Sequence, residues 1–175
     1  MKKLFATLLF VALGLVCQTH ATTWSFDYSG AGVSASGTLT TGAFNASYNG
    51  YQITGITGFR NGVAIDGLVP NLNFPGSTNT AAGPAGWYIT YDNLLTAGLG
   101  FDFSGLYYAS GGVDYNVYLT GGTYYELTLA QVNAHGGGSL GTVLDHVSVP
   151  ENASTIVMLG GVLLGLAALR RRFVS

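Results

Sequence analysis

Cysteine occurs once in the 175 residues, as Cys17, inside an apolar N-terminal run. Beyond it there is no disulfide, no thiolate metal ligand and no cysteine nucleophile to consider. Lysine is missing after Lys3, and charged residues make up only 8% of the chain. Between Thr22 and Pro150 the only Lys or Arg is Arg60. Against it stand Asp27, Asp66, Asp92, Asp102, Asp114, Glu126 and Asp145, a net charge of −6. Nucleic-acid binding by counterion release needs several phosphate-neutralising cations, so this composition excludes it. Proline is scarce as well. Of four, Pro70, Pro75 and Pro84 crowd into one Asn/Gly/Ser/Thr-rich stretch and Pro150 stands alone. No amphipathic helical pattern of three turns occurs between residues 22 and 148.

What is abundant is glycine, 27 residues, and alternation of period two. Val33-Ser34-Ala35-Ser36-Gly37-Thr38-Leu39 alternates small or apolar with polar, as a strand with one wet face does. A run of β-branched and aromatic residues, Ile53 to Phe59, leads into Asn61-Gly62 and then Val63-Ala64-Ile65. Asn-Gly between two such runs marks a two-residue hairpin, because both positions tolerate positive φ. Leu106-Tyr107-Tyr108, Gly111-Gly112 and Val113 to Leu119 repeat the arrangement, and Thr120-Gly121-Gly122 turns into Thr123 to Leu129. Trp24 to Tyr28, Trp87 to Tyr91, Phe101 to Phe103 and Val143 to Val149 supply further strands. The stretch from Pro70 to Gly86 reads as a long loop and Ala134 to Gly141 as a glycine-rich turn. About 130 residues of this kind make one domain with its own core. The expected fold is all-β, an antiparallel sandwich or meander over residues 22–148, drawn as two packed sheets and flanked by an N-terminal signal helix and a C-terminal transmembrane helix.

Both ends are unlike the middle. Lys2 and Lys3, the apolar run Leu4 to Val16, and Thr19-His20-Ala21 form a secretory signal over residues 1–21, with cleavage expected between Ala21 and Thr22. Val16 before Cys17 does not fit a lipoprotein signal, so the cysteine should leave with the signal peptide. The Sec translocon and signal peptidase are the implied partners. At the other end, residues 149–175 set out a polar motif, an apolar stretch and a basic cluster. Ile156 to Leu169 carries no charge, and Arg170, Arg171 and Arg172 follow at once. As a helix that stretch covers roughly 21 Å, and from Ala153 to Arg172, with the arginines snorkelling, about 30 Å, the thickness of a hydrocarbon core. The arginines would stop transfer and stay cytoplasmic.

The tail, on Val149, Pro150, Glu151, Asn152, Ser154 and Thr155 followed by the short apolar helix and the arginines, resembles the PEP-CTERM sorting signal of Gram-negative bacteria that make extracellular polysaccharide. That motif is typically Val-Pro-Glu-Pro, and Asn152 departs from its second proline. The resemblance implies an exosortase-like membrane transpeptidase as processing partner, a transient stay at the inner membrane, and delivery to the envelope surface or outside the cell. Ser29 to Thr41, Ile53 to Gly58 with Asn61-Gly62, Asp92-Asn93-Leu94-Leu95 and Gly112 to Tyr118 resemble an ectodomain type that carries such tails. That type brings no catalytic residue with it. An ordinary C-terminal anchor that is never cleaved is the alternative for the tail.

No catalytic or metal constellation stands out, and no cofactor is expected. His135 and His146 lack partners at ligand spacing and read as surface histidines. Asp92-Asn93 and Asp114-Tyr115-Asn116 lack the spacing of a calcium loop and read as solvated carboxylates. Asp102 and Glu126 could serve a glycosidase only if about 5 to 10 Å apart across a cleft. Trp24, Trp87 and the eleven tyrosines all lie between the signals. The pairs Tyr107-Tyr108 and Tyr124-Tyr125 should each set one ring toward the core and one toward solvent, where tyrosines on neighbouring strands could form a platform for sugar rings. The expectation is a non-enzymatic exported protein of the cell surface or matrix, associated with exopolysaccharide. A carbohydrate-binding or carbohydrate-active envelope protein is the rival.

Overall fold

The computed structural model describes residues 21–72, 78–83, 86–134 and 141–149. The signal run before Ala21, Pro75, Pro84, His135, and the tail from Pro150 onward lie outside the described residues. So do the two expected terminal helices.

Eleven strands and one short helix follow in order. They are β1 (Thr22–Gly30), β2 (Val33–Asn45), β3 (Gly50–Arg60), β4 (Val63–Leu68), β5 (Asn79–Ala82), β6 (Tyr88–Tyr91), β7 (Leu94–Thr96), β8 (Leu106–Ser110), β9 (Val113–Thr120), β10 (Thr123–Thr128), α1 (Leu129–Ala134) and β11 (Thr142–Ser148). Where two packed sheets were expected, one sheet closes on itself. β1, β2, β3, β4, β8, β9, β10 and β11 pair antiparallel in that order, and β11 pairs back onto β1. The result is an eight-stranded up-and-down barrel, a closed meander without free edges among its eight strands. Period-two alternation is the same for a sandwich and a barrel, so only long-range pairing separates the two.

Local chemistry explains the turns. Asn61-Gly62, Gly111-Gly112 and Gly121-Gly122 all have positive φ at both positions (47° and 77°, 59° and 74°, 58° and 80°), the geometry of type I′ hairpins. Asn61 also binds the neighbouring hairpin. Its Oδ1 accepts from the Ser34 amide at 2.7 Å and its Nδ2 donates to the Gly32 carbonyl at 3.0 Å.

Closure needs bends inside long strands, and glycine supplies them. Gly37 on β2 pairs with Gly58 on β3. A Cβ on Gly37 would meet the Thr57 carbonyl oxygen at 1.9 Å, and one on Gly58, whose φ is 144°, would meet the Ser36 carbonyl oxygen at 2.2 Å. The two backbones therefore approach as no other residue type would permit.

An eight-stranded barrel is just wide enough to be filled by side chains. Trp24, Phe26 and Tyr28 from β1, Leu39 from β2, Ile53 and Ile56 from β3, Leu106 and Tyr108 from β8, Val117 from β9 and Leu144 from β11 fill it. Trp24 places its indole N–H 2.8 Å from the Thr41 hydroxyl, so its polar atom is satisfied. The outer wall of β1 to β3 presents Thr23, Ser25, Asp27, Ser34, Ser36, Thr54 and Thr57 to solvent, with Thr38 and Thr57 bonded hydroxyl to hydroxyl at 2.8 Å. Phe59 also lies exposed on that wall, opposite Ser36. Among the described residues, no helix is long and apolar enough to cross a membrane.

The outer wall of β8 to β10 is covered instead. Between β4 and β8 the chain makes a separate hairpin, in which β5 forms within the expected loop Pro70 to Gly86 and pairs with β6, the strand expected at Trp87 to Tyr91. β6 and α1 lie on the wall and form a second core of Ile89, Tyr91, Tyr107, Tyr118, Leu127 and Val132. The helix is set by a capping box. Thr128 Oγ1 accepts from the Gln131 amide at 3.2 Å, and Gln131 Oε1 accepts from the Thr128 amide at 2.8 Å. The strand expected to run on to Leu129 therefore stops at Thr128, where this helix begins. The expected strand Phe101 to Phe103 does not form. Asp102 Oδ1 accepts from the amides of Ser104 and Gly105 at 2.9 and 3.0 Å, a local bond that turns the chain out of extension.

Candidate functional site

Four places carry the expected site residues or chemistry. The first is the C-terminal end of the barrel. Ala21 is exposed and Thr22 opens β1, paired with Thr41 of β2. Val149, the first residue of the tail motif, is only 4% exposed and packs in the barrel core cluster. Pro150, Glu151, Asn152, Ser154, Thr155 and Arg170 to Arg172 lie outside the described residues.

The second is a charged centre inside the barrel. Arg60, at the end of β3, donates from Nε to Glu126 Oε2 at 2.9 Å and from Nη2 to Oε1 at 2.5 Å, a bidentate pair. Tyr28 donates to Glu126 Oε2 at 2.5 Å, Tyr108 lies 3.4 Å from the same oxygen, and the two tyrosine hydroxyls are bonded to each other. The guanidinium carbon sits 3.8 Å above the Tyr115 ring. Burial, then the neighbouring Tyr108 and Glu126, holds the Tyr28 phenol neutral far above its ordinary range. Burial alone would lower the Arg60 pKa, but its bonds to Glu126 and that group's charge outweigh it and raise it. Both Glu126 oxygens accept from Arg60 and the side chain is 3% exposed, so this carboxylate does not stand open to solvent as the acid of a glycosidase cleft would.

The third place brings Asp102 to a different acid. Burial, followed by the charge of nearby Asp102, pushes the Asp92 carboxyl up to about 7. Asp92 is thus not the freely solvated turn carboxylate expected from the sequence. Between them in the fold Asn93 is fully buried with φ of 55°. Its Oδ1 accepts from the Tyr107 amide at 2.7 Å, and its Nδ2 donates to the Val69 carbonyl at 2.8 Å. No group of three or more His, Cys, Asp or Glu able to hold a metal occurs among the described residues. Asp114 accepts from Tyr107 at 3.4 Å, and His146 pairs with Asp27 on the exposed β1–β11 surface at 2.7 Å.

The fourth is a cleft of about 300 Å³ on the outside of the barrel, between β6 and the covered wall. Trp87, Tyr88 and Phe103 form its exposed aromatic walls, Thr90 and Thr120 its hydroxyls, and Tyr118, Leu127 and Val132 part of its floor. The tyrosine pairs do point to opposite sides of the sheet, but neither ring of Tyr107-Tyr108 reaches solvent. Tyr108 fills the barrel, while Tyr107 is buried in the second core and stacks on Tyr91 at 4.6 Å. Tyr124 and Tyr125 are both half-buried. Among the described residues the exposed aromatic side chains are instead Trp87, Tyr88 and Phe103 at this cleft and Phe44 and Phe59 elsewhere on the barrel. Comparison of the chain with protein-family models, curated proteins and solved structures found no match.

Proposed function

We propose that this chain is an exported, non-enzymatic protein of the cell surface or extracellular matrix, associated with exopolysaccharide and sorted through its C-terminal tail by an exosortase-like transpeptidase. The signal sequence at residues 1–21, the motif Val149 to Thr155, the apolar helix of residues 156–169 and the stop at Arg170 to Arg172 support it together. The single observation that carries most weight is the position of Val149. It packs in the barrel core, so the described fold reaches the residue directly before Pro150. A proline fixes φ and has no amide donor, so it favours an extended motif between barrel and membrane. The helix stopped by the arginines would then hold that motif at one depth. The committed oxygens of Glu126 argue against a hydrolase built on it.

The test is the fate of the tail. In a host that expresses an exosortase, wild type should lose the tail, roughly 2–3 kDa, and leave the inner membrane. The double change Pro150→Ala and Glu151→Ala should leave full-length protein in that membrane. If both proteins keep Ser175, the tail is an ordinary anchor and the sorting reading fails.

A further inference from the structure

The cleft between β6 and the barrel wall has a composition that selects a ligand. Trp87, Tyr88 and Phe103 are 44%, 61% and 66% exposed, three large aromatic residues open to water in one depression. No charged side chain is among the described residues that line it, and Thr90 and Thr120 line it together with the rings. Aromatic faces carry partial negative charge, which suits the C–H faces of a sugar ring, while its hydroxyls need donors and acceptors at the side. The floor is fixed before any ligand arrives, since Leu127 and Val132 are buried under it. Binding therefore demands little ordering of the protein.

From these features we infer that the cleft is a binding site for an uncharged sugar segment of a polysaccharide, with Trp87, Tyr88 and Phe103 as stacking faces. This rests on the exopolysaccharide association proposed above and names its site and the class of sugar. An acidic polysaccharide is disfavoured. The domain carries a net charge of −6 and its only Arg is held by Glu126 inside the barrel.

The experiment uses the full chain in mild detergent, run in native gels containing hydroxyethylcellulose, dextran or galactomannan as neutral polymers and alginate as the anionic one. Tryptophan emission is read in parallel. Trp24 is sealed in the barrel, so a polymer-dependent change reports on Trp87. The expected result is retardation by at least one neutral polymer and none by alginate. Trp87→Ala and Phe103→Ala should each weaken binding about tenfold, and Trp87→Phe should retain most of it, with unchanged circular dichroism. Retardation by no neutral polymer, equal retardation by alginate, or undiminished binding by both alanine variants overturns the proposal. So does concentration-dependent self-association that Trp87→Ala abolishes, which would make the cleft a contact between copies. Tail mass on the same proteins separates the two readings. Tail removal without neutral-polymer binding sinks the cleft alone, and binding lost in Trp87→Ala with an intact wild-type tail sinks sorting alone.

Discussion

Arg60 and Glu126, sixty-six positions apart in the chain, meet fork to fork inside the barrel and tie β3 to β10, two strands that are not neighbours in the sheet. Tyr28, Tyr108 and Tyr115 extend that tie to β1, β8 and β9. One polar centre therefore spans the barrel interior, where an unmatched charge would be expensive to hold.

That cost sets the first prediction. Arg60→Ala leaves a nearly buried carboxylate, Glu126 at 3% exposure, without its cation. The expected loss of stability is about 3–5 kcal/mol. Replacing both residues together, Arg60→Met with Glu126→Leu, should cost far less than either single change predicts, since no charge is then stranded. Urea unfolding of wild type, Arg60→Met, Glu126→Leu and the double variant as a double-mutant cycle reads this out. Additive effects would mean that the pair is not coupled.

Asp92 leads to a pH dependence. Its carboxyl is raised to about 7 in the fold by burial and by Asp102; in the unfolded chain an aspartate titrates near 3.9. Between these values the folded protein holds the proton more tightly than the unfolded one. Stability from this site is therefore fully present below about pH 4 and is lost as pH rises toward 7. Thermal midpoints should fall across that window in wild type, and the fall should flatten in Asp92→Asn. A wild-type midpoint that rises from pH 4 to 7, with Asp92→Asn tracking it, would contradict the assignment.

Asn93 substitutes for a backbone. Its amide bonds both the Tyr107 N–H and the Val69 C=O at a fully buried position with positive φ. Asn93→Ala strands both groups and adds strain in the left-handed region, an expected cost of about 2–4 kcal/mol. Hydrogen exchange should show the Tyr107 amide deprotected more than amides of β2. Asn93→Asp should be milder for that amide, because the acceptor remains.

At the Gly37–Gly58 crossing a single methyl group is the probe. Neither Cβ has room against the facing carbonyl, so Gly58→Ala should cost more than about 4 kcal/mol or prevent closure. Gly62→Ala is the control. Its φ of 77° is also unfavourable, yet nothing lies within 4 Å of the added carbon, so only the strain of about 1 kcal/mol applies. Equal losses in the two variants would show that conformation, not close approach, governs Gly58.

Val149 separates stability from sorting. Val149→Asp puts a charge into the barrel core and should lower the thermal midpoint of the domain. Pro150→Ala with Glu151→Ala should not, even where it blocks tail removal. A differential scan on both proteins distinguishes these roles.

Much of the molecule was legible locally. Hairpin turns follow from the φ preferences of Asn and Gly at Asn61-Gly62, Gly111-Gly112 and Gly121-Gly122. Strand faces follow from a side-chain period of two, which put Trp24, Phe26 and Tyr28 on one side and Ser25 and Asp27 on the other. These are properties of a few adjacent residues, and adjacent residues carry them.

What only the tertiary structure decided depends on distance in the chain. Period-two strands leave open whether β11 returns to β1, so closure into a barrel could not be read from them. Nor could Arg60 name Glu126, since the six other acids were equally available until the barrel brought one inside. Asp102 lies near Asp92, ten residues before it in the chain, a neighbour that alternation alone does not name. Tyr107 was outward by alternation yet dry, because β6 and α1 lie over that wall. The sequence by itself determined each segment's shape and the chemistry it carries, through bond rotations and side-chain periodicity. Which chemistry meets which was decided by long-range pairing, where the energy of closing the sheet and filling its interior outweighs any local preference.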